Sequence, residues 1–382
     1  MTLYKKARPF SLWLHSMVLG LTLLLGAETV GAQIRTVLVS PVPGNPVASG
    51  TALRNALAGI SSPSSSNPWL LKIEPGIYDV GTISLQMRSW VDIEGSGIGV
   101  TTIRGSAADF NATINGANNA ELRLLTVEAA LGSAALPGPI AMANYSASPR
   151  LYRVKFSASG GAGGSTGIAY GVRNRDSTPL IEECEIKVVG SGDTAYGLVF
   201  GTDTSSPLVD RSSILRSKVT VSGSKYNYGL YMAGRQYVSE IRDSRIDVVG
   251  GVTTRGIHAV SDSSWSGQEN LRIRNTEIIS GGGSSASYGI SIQDSAWISL
   301  DINGSKVWGH SSPTTYGIVQ GWFGPVGTQW SHIVGFTQTV QTVGSASIQS
   351  TYLQGGPVTA GGWLGCMGVW EENGIFYANS CP

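Results

Sequence analysis

Charge is scarce in this chain: only 13% of its 382 residues are Asp, Glu, Lys or Arg. No basic run occurs, so the electrostatic footprint of a nucleic-acid binder is missing. Beyond the N-terminal segment no stretch is apolar enough to cross a bilayer, which argues against a membrane span. There are three cysteines and four histidines, and no Cys/His set has metal-ligand spacing. A phosphate-cradling loop and a Ser-His-Asp arrangement are also missing. Glycine is abundant, at 51 residues, with Ser and Thr recurring throughout. That composition suits many strands joined by tight turns rather than amphipathic helices.

The N-terminus reads as an export signal. Lys5, Lys6 and Arg8 precede a short apolar core, Met17 to Ala27, and Val30-Gly31-Ala32 offers small residues for cleavage. Cleavage after Ala32 removes Lys5, Lys6, Arg8 and Glu28, leaving 23 basic and 24 acidic side chains and a net charge of −1. The expectation is a secreted or surface-associated protein. In that setting Cys366 and Cys381, closing CMGVWEENGIFYANSC, read as a disulfide.

Tyr-Gly followed by an aliphatic residue returns at Tyr170, Tyr196, Tyr228, Tyr288 and Tyr316, and Arg255-Gly256-Ile257 fills the gap. The glycines are 26, 32, 27, 33 and 28 residues apart. A second landmark, a small residue, a charged one and an aliphatic, recurs in step at Cys184, Ser217, Ser244, Thr276 and Ser305. One unit of about thirty residues therefore repeats, with length differences absorbed in loops. Alternation along the first landmark places Tyr196, Leu198 and Phe200 on one inward face, with the tyrosine inward or at its edge. Five residues before each aliphatic of the second landmark sits another, as Ile241 precedes Ile246. That odd offset demands a corner, placed at Glu183, Asp243 and Asn275, types that include the Asn and Asp tolerant of left-handed backbone. Cys184 falls beside the interior and reads as an inert filler.

Strand, corner, strand and loop repeated in this way define an all-β right-handed parallel β-helix, with like residues laddered at roughly 4.8 Å. The expected division is a leader over 1–32, a cap region over 33–68 with a short helix at Thr51 to Ile60, a β-helix over 69–335, and a C-terminal cap over 336–382.

Ile73-Glu74-Pro75-Gly76-Ile77-Tyr78, Glu94-Gly95-Ser96-Gly97 and Thr101-Thr102-Ile103-Arg104-Gly105 carry a resemblance. The run is similar to the first coils of pectinesterases and other secreted β-helix proteins of the pectin-lyase-like superfamily. The resemblance implies the same fold and, for an enzyme, action on acidic polysaccharide. The catalytic segments of pectinesterases and polygalacturonases are not found. The nearest stretch, Leu198 to Asp203, lacks the leading acid.

Candidate chemistry lies just after the repeat glycines, at Asp176, Asp203, Asp262 and Asp294, with Arg235 between the pairs. Stacked carboxylates could supply an acid and a base, or hold Ca²⁺ at Asp176 and Asp203. The plainer reading is turn formation, since Ser or Thr follows Asp176 and Asp262 and each aspartate then bonds its own backbone. His258, Tyr231 and Gln293 have outward parity on the same sheet. Late aromatics, Trp308 and Trp322 among them, could stack on sugars or close the solenoid end.

The leading expectation is a secreted, non-catalytic module that binds polysaccharide or a cell surface. The alternatives are a divergent lyase or hydrolase using Asp203, Arg235, His258 and Asp262, and a purely structural stalk.

Overall fold

The computed structural model describes residues 34–106, 111–130, 138–160, 167–201, 212–234, 238–260, 269–293, 298–321, 324–378 and 380–381. The expected leader, Asp203, Arg235, Asp262, Asp294 and Trp322 lie outside the described residues. The rest winds into a right-handed parallel β-helix, as the repeat requires. Each middle coil contributes one strand to each of three stacks. Leu180–Glu182, Ser212–Leu215 and Val238–Arg242 belong to the first; Glu185–Gly190, Lys218–Ser222 and Arg245–Val249 to the second; Ile168–Arg175, Thr194–Gly201, Tyr226–Ala233 and Thr253–Val260 to the third. Pairing within the stacks is parallel and joins each coil to the next.

Aliphatic ladders fill the interior. Ile181, Ile214, Ile241 and Ile273 stack on one wall, and Ile186, Val219, Ile246 and Ile278 on the next, all at 0–1% exposure. The corner between these walls lies where the five-residue offset puts it. Arg153, Glu183, Arg216, Asp243, Asn275, Gly304, Trp330, Ser350 and Gly368 all have φ between 46° and 65°. One left-handed residue per coil redirects the chain without breaking the ladders on either side.

From Ser217 to Ser331 the residue after the corner is small and inward, and its hydroxyl serves two coils. Ser217 Oγ accepts the Cys184 N–H at 3.0 Å and donates to the Leu215 carbonyl at 2.8 Å. Ser244 repeats this with Ser217 and Arg242, and Thr276 with Ser244 and Arg274. The column continues through Ser305 and Ser331. The hydroxyl matters chiefly as acceptor, because an unpaired buried amide costs about 1–3 kcal/mol. The carbonyls it donates to already accept a backbone N–H, Leu215 from Glu183 and Arg242 from Arg216. Cys184 occupies one place in this column. Its thiol is fully enclosed and burial pushes its pKa up to about 12, so it is the inert filler expected.

The tyrosines require a correction. Ala195, Leu198 and Phe200 are fully buried, but Tyr196 is only half-buried and its ring packs against the outward Tyr231. The alternation breaks at the glycine. A Cβ on Gly197 would lie 2.4 Å from Val219 Cγ1 and 2.6 Å from the Gly229 carbonyl, so that position also faces inward. Gly197 and Leu198 therefore point the same way, and the preceding tyrosine is turned outside. Glycine is needed here because the third stack bends against the second with no room for a side chain.

The ends are closed differently. The helix Pro46–Gly59 buries Leu53 and Leu57 and begins five residues before the expected Thr51, because Asn45 caps it and Pro46 opens its first turn. It approaches the strand Gly76–Gly81 so closely that a Cβ on Gly50 would strike the Asp79 carbonyl. At the far end, parallel coils continue past residue 335, the limit expected from the sequence, through Leu364–Met367 and Val369–Glu371. Phe376–Tyr377 then folds back antiparallel on Val369–Glu371. Cys366 and Cys381 are disulfide-bonded, their Cα atoms 5.1 Å apart.

Candidate functional site

Two outer surfaces gather side chains with binding chemistry. The first is the outside of the third stack. Tyr170, Tyr196 and Tyr228 stack with ring centroids 5.2 and 5.0 Å apart, and Tyr288 and Tyr316 stack at 5.0 Å. Arg255 joins the two groups, its guanidinium 5.4 Å from the Tyr228 centroid and 5.0 Å from that of Tyr288. The column is continuous over six coils. Most rings spend their faces on one another, which leaves edges and hydroxyls, rather than faces, for a sugar.

Tyr231 and His258 are register partners on this surface, with ring centroids 5.7 Å apart, and His258 also stacks on Tyr228 at 5.4 Å. His258 is only 4% exposed, and its Nδ1 lies 3.1 Å from the Ser291 carbonyl. Burial, aided by the Arg255 charge, lowers its pKa to about 3, so the ring is neutral near pH 7. Gln293 is exposed at the end of the same sheet, one column along from His258 and Ser291. The structure thus brings Tyr231 and His258 together and sets Gln293 apart. Asp176 sits in a left-handed turn with φ 50°. Its suggested Ca²⁺ partner, Asp203, is outside the described residues. Among the described residues no group of three or more His, Cys, Asp or Glu is placed to hold a metal ion.

The second surface is the outside of the second stack, just past the corner. Over the middle coils it is a charged ladder. Lys155 pairs with Glu185 at 3.2 Å, Arg153 with Glu183 at 2.6 Å, and Lys306 with Glu277 at 3.1 Å. Arg216 bridges Glu182 and Glu183, and Arg245 joins Glu277. Hydrogen bonds from Arg150 hold the Glu182 carboxyl below its ordinary pKa, and those from Arg153 do the same for Glu183. Neither acid is tuned to act as a general acid.

In the C-terminal coils the same column turns aromatic. Lys306 is followed in register by His332, Tyr352 and Trp370. His332 and Tyr352 meet edge-to-face at 4.7 Å. Trp330, at the corner, is 66% exposed, Trp370 50% and Tyr352 37%. A shallow groove lined by Asn275, Glu277 and Lys306 ends at Trp330 and His332. It is aligned with a longer one over Glu183, Arg216, Asp243 and Arg245. Trp308 is half-buried, with the Lys306 ammonium 3.3 Å from its ring centroid and His310 and His332 at its edges. One face of this indole is thus already occupied, and among the described residues the open indoles are Trp330, Trp363 and Trp370.

His332, Tyr352 and Arg255 did not emerge as candidates from the sequence. The signal for the first two was present: Ser331-His332-Ile333 and Thr351-Tyr352-Leu353 continue the small, variable, aliphatic landmark by two coils.

No family model matches the sequence, and no curated protein does. Solved structures with the same fold do match. The chain is similar to the Dettilon tailspike protein at 11% identity and a TM-score of 0.50, over 84% of this chain and 62% of the tailspike. It therefore spans less than two thirds of that protein's length. Bacteriophage CBA120 tailspike protein 3 is similar over 94% of this chain and 65% of its own, at 12% identity and a TM-score of 0.47. The A-module of the Azotobacter vinelandii mannuronan C-5 epimerase AlgE6 is similar over 86% and 87%, at 15% identity and a TM-score of 0.44. At these identities the likeness speaks to the fold alone, and the class it defines is the parallel β-helix proteins.

Proposed function

We propose that the chain is an extracellular β-helix module that holds polysaccharide on its outer surface without cleaving it. The observation that carries this reading is the exposed aromatic group of the C-terminal coils, Trp330, Tyr352 and Trp370, at and beyond the end of a polar groove that crosses successive coils. Open indole and phenol faces stack on the apolar faces of sugar rings, and a groove lined by Lys306, Glu277 and His332 offers hydrogen-bonding partners for hydroxyls. The acids along this flank are held by arginine and lysine, which suits a surface that binds rather than one that transfers protons. The Cys366–Cys381 disulfide fits an oxidising compartment. Among the described residues no helix is long and apolar enough to cross a membrane.

The test is sedimentation of the chain with insoluble pectin, alginate, cellulose, chitin and peptidoglycan, with reducing ends and unsaturated products followed in the supernatant. Retention on at least one polymer without new products is expected, together with its loss in a Trp330→Ala, Trp370→Ala double variant. Retention that both substitutions leave intact, retention on none of the polymers, or release of products would each refute the reading.

A further inference from the structure

The tyrosine column is interrupted once, and the substitute is a cation. Arg255 lies between the rings of Tyr228 and Tyr288, and its Nη1 donates to Tyr228 Oη at 3.1 Å. Rings thus lie on both sides of Arg255 along the column, and one of its five donors is taken by Tyr228. Its Nε is buried and meets no acceptor. Several arginines on the other stacks are matched to carboxylates: Arg123, Arg150, Arg153, Arg216 and Arg245 each have at least one. No ion pair among the described residues includes Arg255. The strands around it, Tyr226–Ala233, Thr253–Val260 and Ala286–Gln293, contain no acidic residue. Stacking alone does not call for a cation here, since tyrosine fills this position in the coils on either side.

A guanidinium held between two rings and tied to one hydroxyl, with terminal N–H donors to spare and no carboxylate partner, is suited to an oxyanion. We propose that Arg255 forms an anion subsite for a carboxylated or sulfated sugar lying along the tyrosine column. The anionic group meets the guanidinium edge, and the hydroxyls of Tyr228 and Tyr288 flank it. The subsite is on the third stack, apart from the C-terminal aromatics, and does not rest on the reading given for them.

Arg255→Tyr tests this while preserving the fold, because it completes the tyrosine column. The full chain and this variant are titrated calorimetrically with three oligosaccharides of equal length, one uronate-bearing, one sulfated and one neutral. The wild-type chain is expected to bind at least one anionic oligosaccharide about tenfold or more tighter than the neutral one, the scale of one charge-assisted hydrogen bond. Arg255→Tyr is expected to abolish that preference at unchanged melting temperature, and Arg255→Lys to keep only part of it. Preference for the uronate would identify a carboxylate ligand, and preference for the sulfated sugar a sulfate ester. Equal affinity of the wild-type chain for all three, no binding of any, or an anion preference that survives in Arg255→Tyr would overturn the proposal.

Discussion

One column of this solenoid is charged along the middle coils and aromatic along the last ones. Lys155, Glu185, Lys218, Arg245, Glu277 and Lys306 occupy the position just past the corner, and His332, Tyr352 and Trp370 continue it in register. The backbone asks the same of every coil here: a strand residue facing out after a left-handed corner. Six coils meet that demand with lysine, arginine or glutamate, so the fold does not require an aromatic ring. The rings at the end are not sheltered either, since Trp330 and Trp370 keep half or more of their surface open. Where a repeat keeps its geometry but changes its chemistry toward exposed rings, the change points to contact with something outside the chain.

The sharpest way to break this comparison is to extend the charged ladder to the end. A Tyr352→Lys, Trp370→Lys variant should fold with a melting temperature close to that of the unaltered chain. It should lose polysaccharide binding by about 30-fold or more, the scale of removing aromatic anchors from an interface. Thermal unfolding and a binding isotherm on one preparation check both halves. The second effect is on stability and leaves binding alone. Ser244→Ala strands the Ser217 amide, while the Arg242 carbonyl keeps its bond from the Arg216 N–H, and should cost about 1–3 kcal/mol in a denaturant titration. Cys184→Ser should change stability by no more than about 0.5 kcal/mol, because serine is what the column carries in the coils that follow.

Arg216→Ala should have the smallest effect, and its pH dependence is informative. Arg216 helps hold Glu182 and Glu183 below their ordinary pKa. A carboxyl with a depressed folded-state pKa contributes stability that is present above the unfolded value, about 4.3, and lost as pH falls through the folded value. The variant should therefore melt slightly lower than the unaltered chain at pH 6 and low salt, and the two should converge near pH 2. A difference that persists at pH 2 would mean Arg216 acts through packing and not charge.

Much of the architecture was legible because a solenoid states each rule many times. The five-residue offset placed the corner at Glu183, Asp243 and Asn275, and all three have left-handed backbone. The small residue after the corner was visible as a pattern, but its hydroxyl exchange between coils was not, because hydrogen bonds across thirty residues leave no local signal. The tyrosine orientation was misread for a physical reason. Alternation assumes that each residue turns the pleat, and Gly197 occupies an inward position without a side chain to reveal it. The surface aromatics of the end coils were less legible still. Burial and exposure of Trp308 and Trp330 differ through a neighbouring lysine and a corner, neither of which follows from a count of tryptophans.

The most direct test of the binding account is acrylamide quenching of tryptophan fluorescence, with and without a soluble fragment of the polysaccharide that retains the protein. The account predicts that saturating ligand lowers quenching in the unaltered chain, and that this protection disappears in Trp330→Ala, Trp370→Ala. A bound ligand that leaves quenching unchanged would contradict it, because the open indoles of the last coils would then still face water.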